Sequence, residues 1–209
     1  MMKILLWVCI FSLLGNTPCS PETVIKNKRI VCLGDSLTTC GGENGRYTDW
    51  LAKSLPDCEI INKGRSGDTL KGGRYRFQAD VLDIKPDILI IELDANDFWA
   101  KDREIAALSN DLEFMIKKAQ EDGIKVVIAG VFGNMVDEKG RPVPKTRGID
   151  SFGMQILYME RKLALKYKCS HVENIQADLM DKRYWDDTNH PNSAGNAFVA
   201  KRILAGILE

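Results

Sequence analysis

A serine hydroxyl becomes a useful nucleophile only when a neighbouring imidazole takes its proton, and the imidazole serves best when a carboxylate fixes its tautomer. Three residues of this chain supply those types: Ser36 in Gly34-Asp35-Ser36-Leu37, and Asp187 and His190 in Asp187-Thr188-Asn189-His190-Pro191. The chain has two histidines. His171 lies in a short stretch that reads as a strand and has no acid three residues before it, so it is expected to be a packed or surface residue, and His190 is the candidate base. Asp186 competes for the orienting role, but the Asp-x-x-His spacing favours Asp187. The residue before a proline is biased toward extended geometry, which holds His190 outside any helix that follows.

A carbonyl attacked by a serine turns its oxygen into an anion, which needs donors already aimed at it. Glycine lets a backbone N–H come close, and an asparagine side chain is a neutral donor. Gly67, in Gly64-Arg65-Ser66-Gly67-Asp68, and Asn96, in Asp94-Ala95-Asn96-Asp97, fill those roles with the N–H of Ser36 itself. Taken singly, each block has a purely structural explanation: Ser and Asp favour helix caps, glycine permits unusual backbone angles, and asparagine makes side-chain turns. The argument lies in their joint placement.

That placement follows from the elements. Apolar, β-branched runs at 29–33, 59–61, 88–93 and 126–129 predict buried strands, with a short fifth strand at 170–173. Between them, Ile105, Leu108, Leu112, Met115 and Ala119, and then Phe152, Ile156, Met159 and Leu163, recur at helical spacing. Gly123 reads as a helix stop, and Asn192-Ser193 starts a last helix over about 194–208. Strands alternating with helices predict an α/β fold, a doubly wound sandwich whose parallel sheet carries helices on both faces. In such sheets ligands bind beyond the carboxyl ends of the strands. The Gly34, Gly64 and Asp94 blocks each follow a strand, so with the His190 block they are expected to converge on one rim.

At 209 residues the chain fits one domain. Lys and Arg total 29 and Asp and Glu total 29, so no summed charge favours a nucleic acid. Residues 1–20 carry Lys3 and then an apolar run from Ile4 to Leu14, the pattern of a secretory signal, with a buried amino-terminal strand as the alternative. The expectation is a leader at 1–20, a single domain at 21–209, and export to the periplasm or medium. Cys19 offers a lipid-attachment site as the lesser alternative, Pro18 standing where such signals usually have Gly or Ala. Cys32, Cys40, Cys58 and Cys169 show no Cys-x-x-Cys spacing and no nearby histidine to complete a metal site, so no metal is expected. No phosphate-binding glycine motif follows any strand. The segment 132–150, with Pro142, Pro144 and several charges, reads as a long surface loop that either covers a site or is a tolerated insertion.

Together the Gly34-Asp35-Ser36-Leu37 block, Gly67 in Ser66-Gly67-Asp68-Thr69, Asn96 in Asn96-Asp97, and Asp187 with His190 resemble the GDSL (SGNH) hydrolases, in particular their bacterial esterase, thioesterase and lysophospholipase group. The resemblance runs from Ile30 to the carboxyl terminus. It implies a flavodoxin-like three-layer sandwich and hydrolysis of esters or thioesters through an acyl-enzyme, without a cofactor. The expected substrate is a small acyl ester or lipid; the balanced charge speaks against a nucleic-acid partner, Cys19 leaves peripheral or lipid-anchored membrane association as an option, and a monomer is expected. Two alternatives stand beside a lipid or aryl esterase: a carbohydrate O-acetylesterase, and a noncatalytic binding protein on the same scaffold. Two departures stand out, one being the segment 132–150, longer than in compact members of the family, which leaves acyl chain length open. Asp94 occupies a position where the family usually has glycine, where a carboxylate either crowds the oxyanion or is turned away by hydrogen bonds. Phe98 and Trp99, directly after Asn96-Asp97, are candidates for a substrate wall or for the core.

Overall fold

The structure, a computed structural model, describes residues 25–132, 135–136, 142–143 and 151–209. The leader expected at 1–20, with Cys19, lies outside the described residues, as does most of the loop expected over 132–150.

Five strands form one parallel sheet: β1 (Arg29–Gly34), β2 (Glu59–Gly64), β3 (Ile88–Glu92), β4 (Lys125–Ala129) and β7 (Ser170–Val172). Their spatial order is β2-β1-β3-β4-β7. The chain therefore steps outward from β1 to β2, then crosses back to place β3 on the other side of β1. This reversal opens a crevice at the carboxyl ends of β1 and β3, where open α/β sheets take their ligands. A short antiparallel pair, β5 (Met135–Val136) and β6 (Pro142–Val143), lies apart from the sheet within the long connection after β4.

Strand residues point alternately to the two faces. Val31, Leu33, Leu89, Ile91, Val126 and Ile128 feed one apolar cluster, and Ile30, Cys32, Ile88, Ile90, Val127 and Ala129 feed the other. The first is covered by α3 (Leu70–Tyr75), α4 (Phe77–Asp80), α6 (Ile105–Glu121) and α7 (Ser151–Tyr167). The second is covered by α1 (Ser36–Thr39), α2 (Tyr47–Ser54) and α8 (Ser193–Leu208). The expected doubly wound α/β sandwich is the observed fold. Leu108, Leu112, Met115 and Ala119 are all buried, as the spacing in α6 requires. Gly123, just past that helix, holds a φ of 75° that only glycine adopts without strain.

The sequence pattern did not resolve the short helices α1 to α4 or α5 (Ala95–Ala100), each at most two turns long. Cys32 is core as expected, and Cys32, Cys40, Cys58 and Cys169 are free thiols. Among the described residues no helix is long and apolar enough to cross a membrane.

Leu112→Ala, a fully enclosed position, is expected to lower unfolding free energy by about 2–5 kcal/mol. Leu165→Ala, at a side chain 83% exposed, should change it by less than about 0.5 kcal/mol. Urea midpoints of the two variants check the layer assignment.

Candidate active site

Strand β1 ends at Gly34, paired in register with Gly64 at the end of β2. A Cβ on Gly34 would lie 1.9 Å from Thr38 Oγ1 and 2.8 Å from Glu92 Oε2, so glycine here allows α1 to begin hard against the strand end. Asp35 caps that helix, its Oδ1 accepting from Leu37 N–H at 2.8 Å. Ser36 is the first residue of α1 and faces the cleft.

The histidine reaches this point from the other end of the chain. Asp187 Oδ1 accepts from the backbone N–H groups of Asn189, at 2.7 Å, and His190, at 2.8 Å. Its Oδ2 lies 2.7 Å from His190 Nδ1. The Asp-x-x-His spacing is thus a folded unit in which one carboxylate builds the loop and orients the ring. The loop is closed by Asp186 N–H donating to His190 O, by the bridge of Trp185 with Pro191, and by Asn192 capping α8. Asp186 takes part through its backbone, and Asp187 alone of the two meets the imidazole. His190 Nε2 lies 2.9 Å from Ser36 Oγ. Asn196, buried in the first turn of α8, donates to Cys40 O at the end of α1 and to Pro191 O beside the histidine, fixing the two segments against each other. Its role was invisible in the sequence, where it is one polar residue in an apolar helix.

Gly67 holds a φ of 79°, a left-handed conformation suited to glycine, with open space where a Cβ would stand. Ser36, Gly67, Asn96 and His190 all border one cleft of about 600 Å³. Among the described residues neither the Ser36 nor the Gly67 backbone N–H has an acceptor, whereas the Asn96 amide donates to Asp35 Oδ2 and to Asp68 O, each at 2.8 Å. Two of these N–H groups therefore have no protein acceptor among the described residues, and the Asn96 amide is held in place by bonds that use both of its hydrogens. Phe98 is 7% exposed and Trp99 64%; both border the cleft with Phe132, so Phe98 serves core and wall together and Trp99 stands at the rim.

Asp94 is turned away. One oxygen accepts from Val131 N–H at 3.0 Å, and the carboxyl meets Glu160 of α7 rather than the cleft. Burial and then the Glu160 charge hold Asp94 well above the usual carboxylate range, and burial pushes Glu160 up to about 8. Glu160 Oε2 in turn lies 3.2 Å from His171 Nε2, which makes His171 a packed residue with a partner of its own.

Behind the serine lies a second buried acid. Glu92 Oε2 accepts from Thr38 Oγ1 at 2.9 Å and from Asp35 N–H at 3.3 Å. Burial, followed by the charges of Asp35 and Asp94, raises Glu92 well above its ordinary value. Burial also pushes Asp35 up to about 6, against the opposing bonds from Leu37 and Glu92. The signal in the sequence was an acid inside the apolar run 88–93. Asp97, also buried, accepts from Leu70 N–H at 2.8 Å and pins α3 to α5. Among the described residues no group of acids, histidines and cysteines is arranged to hold a metal ion.

A doubly wound α/β sandwich with Ser36, His190 and Asp187 hydrogen-bonded in series at the carboxyl end of its sheet is the setting in which the family can be read. The chain belongs to the GDSL-like lipase/acylhydrolase family, a family of ester hydrolases, which it matches over residues 32–198. It is 29% identical over 131 residues to the esterase TesA of Pseudomonas aeruginosa, a match spanning 63% of this chain and 65% of that protein. It is 25% identical over 212 aligned positions to an acetylxylan esterase of Geobacillus stearothermophilus, spanning 86% of this chain and 94% of the relative. A crystal structure of TesA superposes with a TM-score of 0.72 at 23% identity, over 86% of this chain and 98% of the other.

The raised Asp35 has a consequence for stability. Its folded value of about 6 exceeds the ordinary 3.8, so the folded state is favoured by its protonated form, and that contribution is lost as pH rises from 3.8 through about 6. Asp35→Asn should therefore gain stability relative to wild type between pH 4 and pH 7.5, by up to about 3 kcal/mol. Urea unfolding of both proteins at the two pH values measures it; a pH-independent difference would contradict the assignment.

Proposed function

We propose that this protein is a serine-dependent carboxylic-ester or thioester hydrolase working through an acyl-enzyme. The observation that carries this reading is the unbroken chain Asp187–His190–Ser36, with contacts of 2.7 and 2.9 Å, opening beside two vacant amide N–H groups. Ser36 Oγ attacks the substrate carbonyl while His190 Nε2 takes its proton, and Asp187 stabilises the imidazolium that forms. The tetrahedral oxyanion is met by the N–H groups of Ser36 and Gly67, and by Asn96 once one of its amide hydrogens turns from its resting acceptor. His190 then protonates the departing alkoxide or thiolate, leaving an ester on Ser36. A water molecule, deprotonated by the same imidazole, attacks that ester, and His190 returns the proton to Ser36 Oγ as the acid leaves.

The aromatic lining of Phe98, Phe132 and Trp99 supports an apolar acyl group or an aryl ester, with lysophospholipid and other lipid esters in the same class. A second reading, removal of acetyl groups from carbohydrate, draws on the acetylxylan esterase relative and on the exposure of Trp99, whose face suits a sugar ring. A noncatalytic scaffold is disfavoured, since nothing in binding alone calls for a serine, histidine and carboxylate in hydrogen-bonded series. Export remains part of the proposal on the leader pattern of residues 1–20, with 21–209 as one domain acting as a monomer on a small-molecule ester or at a lipid surface.

Hydrolysis of p-nitrophenyl esters from acetate to palmitate is expected for wild type, with Ser36→Ala reduced to background. Asp187→Asn should lose about 10²-fold in kcat or more, short of the ~10⁴ of a buried triad carboxylate, because Asp187 is 56% exposed. Activity that falls steeply beyond acetate favours the carbohydrate reading, and activity sustained at longer chains favours the lipid reading. A folded wild type inert on the whole series contradicts both.

A further inference from the structure

We infer that Arg76 is a positioning residue for the oxyanion site, one buried guanidinium that sets the three donors relative to one another. The inference rests on the roles given above to Ser36, Gly67 and Asn96. Arg76 lies at the junction of α3 and α4, with its side chain 5% exposed. Its Nε donates to Asp68 Oδ2 at 2.7 Å. Nη1 donates to Lys63 O at 2.7 Å and to Asp80 Oδ2 at 3.0 Å, and Nη2 donates to Gly34 O at 3.0 Å.

These acceptors are not an arbitrary set. The Gly34 carbonyl is two residues before Ser36, whose N–H is the first donor. Asp68 directly follows Gly67, whose N–H is the second. The backbone carbonyl of Asp68 receives the Asn96 amide, the third, at 2.8 Å. The remaining carbonyl, that of Lys63, holds the end of β2, from which the Gly67 loop departs. A buried ion pair made only for charge balance would need Asp80, which already meets Lys63 at 3.2 Å and Arg65 at 2.9 Å. The contacts to Gly34 O, Lys63 O and Asp68 have a different consequence: they tie the ends of β1 and β2 and the loop that follows β2 to one rigid plane.

Only arginine suits this place. Its donors diverge in a fixed fork, whereas a lysine ammonium is a point with three donors on a flexible stem and cannot span acceptors on opposite sides of the plane. Displacing a catalytic group by about 1 Å can lower a rate by about 10²-fold without altering what the site binds. Loss of the fork should therefore appear in kcat, because the oxyanion exists only in the transition state, and leave KM nearly unchanged.

The test is steady-state kinetics on a p-nitrophenyl ester with Arg76→Lys, Arg76→Ala, Asp68→Asn and Asp80→Asn, each shown folded by circular dichroism and assayed well below its melting temperature. Arg76→Lys and Asp68→Asn are expected to lose about 10- to 100-fold in kcat, with KM within about twofold of wild type. In Arg76→Ala, millimolar guanidinium should restore part of kcat where equal sodium chloride does not. Asp80→Asn should lower the melting temperature and leave kcat within about twofold. Should Arg76→Ala not fold, Arg76→Lys and Asp68→Asn carry the comparison. Wild-type kcat in folded Arg76→Lys, a loss confined to KM, or an equal kcat loss in Asp80→Asn overturns the inference and assigns Arg76 to stability alone. Failure of the hydrolase reading itself is separate, since it would show as a folded wild type inert on every ester or as Ser36→Ala retaining full activity.

Discussion

The hydrogen bond between Ser36 Oγ and His190 Nε2 spans 154 positions of chain and 2.9 Å of space, so it survives only if both ends of the domain are fixed to the same frame. The serine end is fixed by the parallel pairing of β1 with β2 and β3, which stops the three strands at one rim. The histidine end is fixed by α8, which packs across β4 and β7 and beside α2. Trp50 Nε1 donating to Ser193 O and the two bonds of Asn196 then lock the seam. Loosening any of these by an ångström would break the contact between the imidazole and the hydroxyl.

The rim is also where buried charge collects. Asp35, Glu92, Asp94 and Glu160 are each at most 3% exposed, in a protein whose buried residues are mostly apolar. Burying carboxyl groups is unfavourable unless they are hydrogen-bonded or keep their protons. Glu92 accepts from Thr38 Oγ1 and Asp35 N–H and Asp94 from Val131 N–H, and burial raises all four carboxyl groups above their ordinary values. Arg76 balances the remaining anionic side at Asp68 and Asp80. Stability is thus given up locally so that short polar segments, rather than apolar packing, set the angles of Ser36, Gly67 and Asn96.

Much of this was legible in the letters. The five strands, the long helices and the convergence of four polar blocks follow from periodicity and from the rule that parallel strands deliver their ligands at one end. Asp187 could be chosen over Asp186 because a carboxylate three residues before a histidine can cap the loop that holds it. What the letters concealed were contacts between distant positions. Arg76 reads as one more surface cation until the fold buries it, and Asn196 as an interruption in an apolar helix. The effect of Asp94 depended on which way its side chain turned, a matter decided by Val131 and by Glu160 on α7, neither of them near it in sequence. Helices of four to eight residues escaped because their hydrogen bonds and caps, not their apolar stripes, define them.

The proposed nucleophile is Ser36, and the direct measurement is covalent capture. Folded protein treated with a p-nitrophenyl alkylphosphonate should gain the mass of one phosphonyl group on intact-mass analysis, with peptide mapping placing it on Ser36 and Ser36→Ala remaining unmodified. No adduct on folded wild type, or an adduct on another residue that persists in Ser36→Ala, would contradict the account.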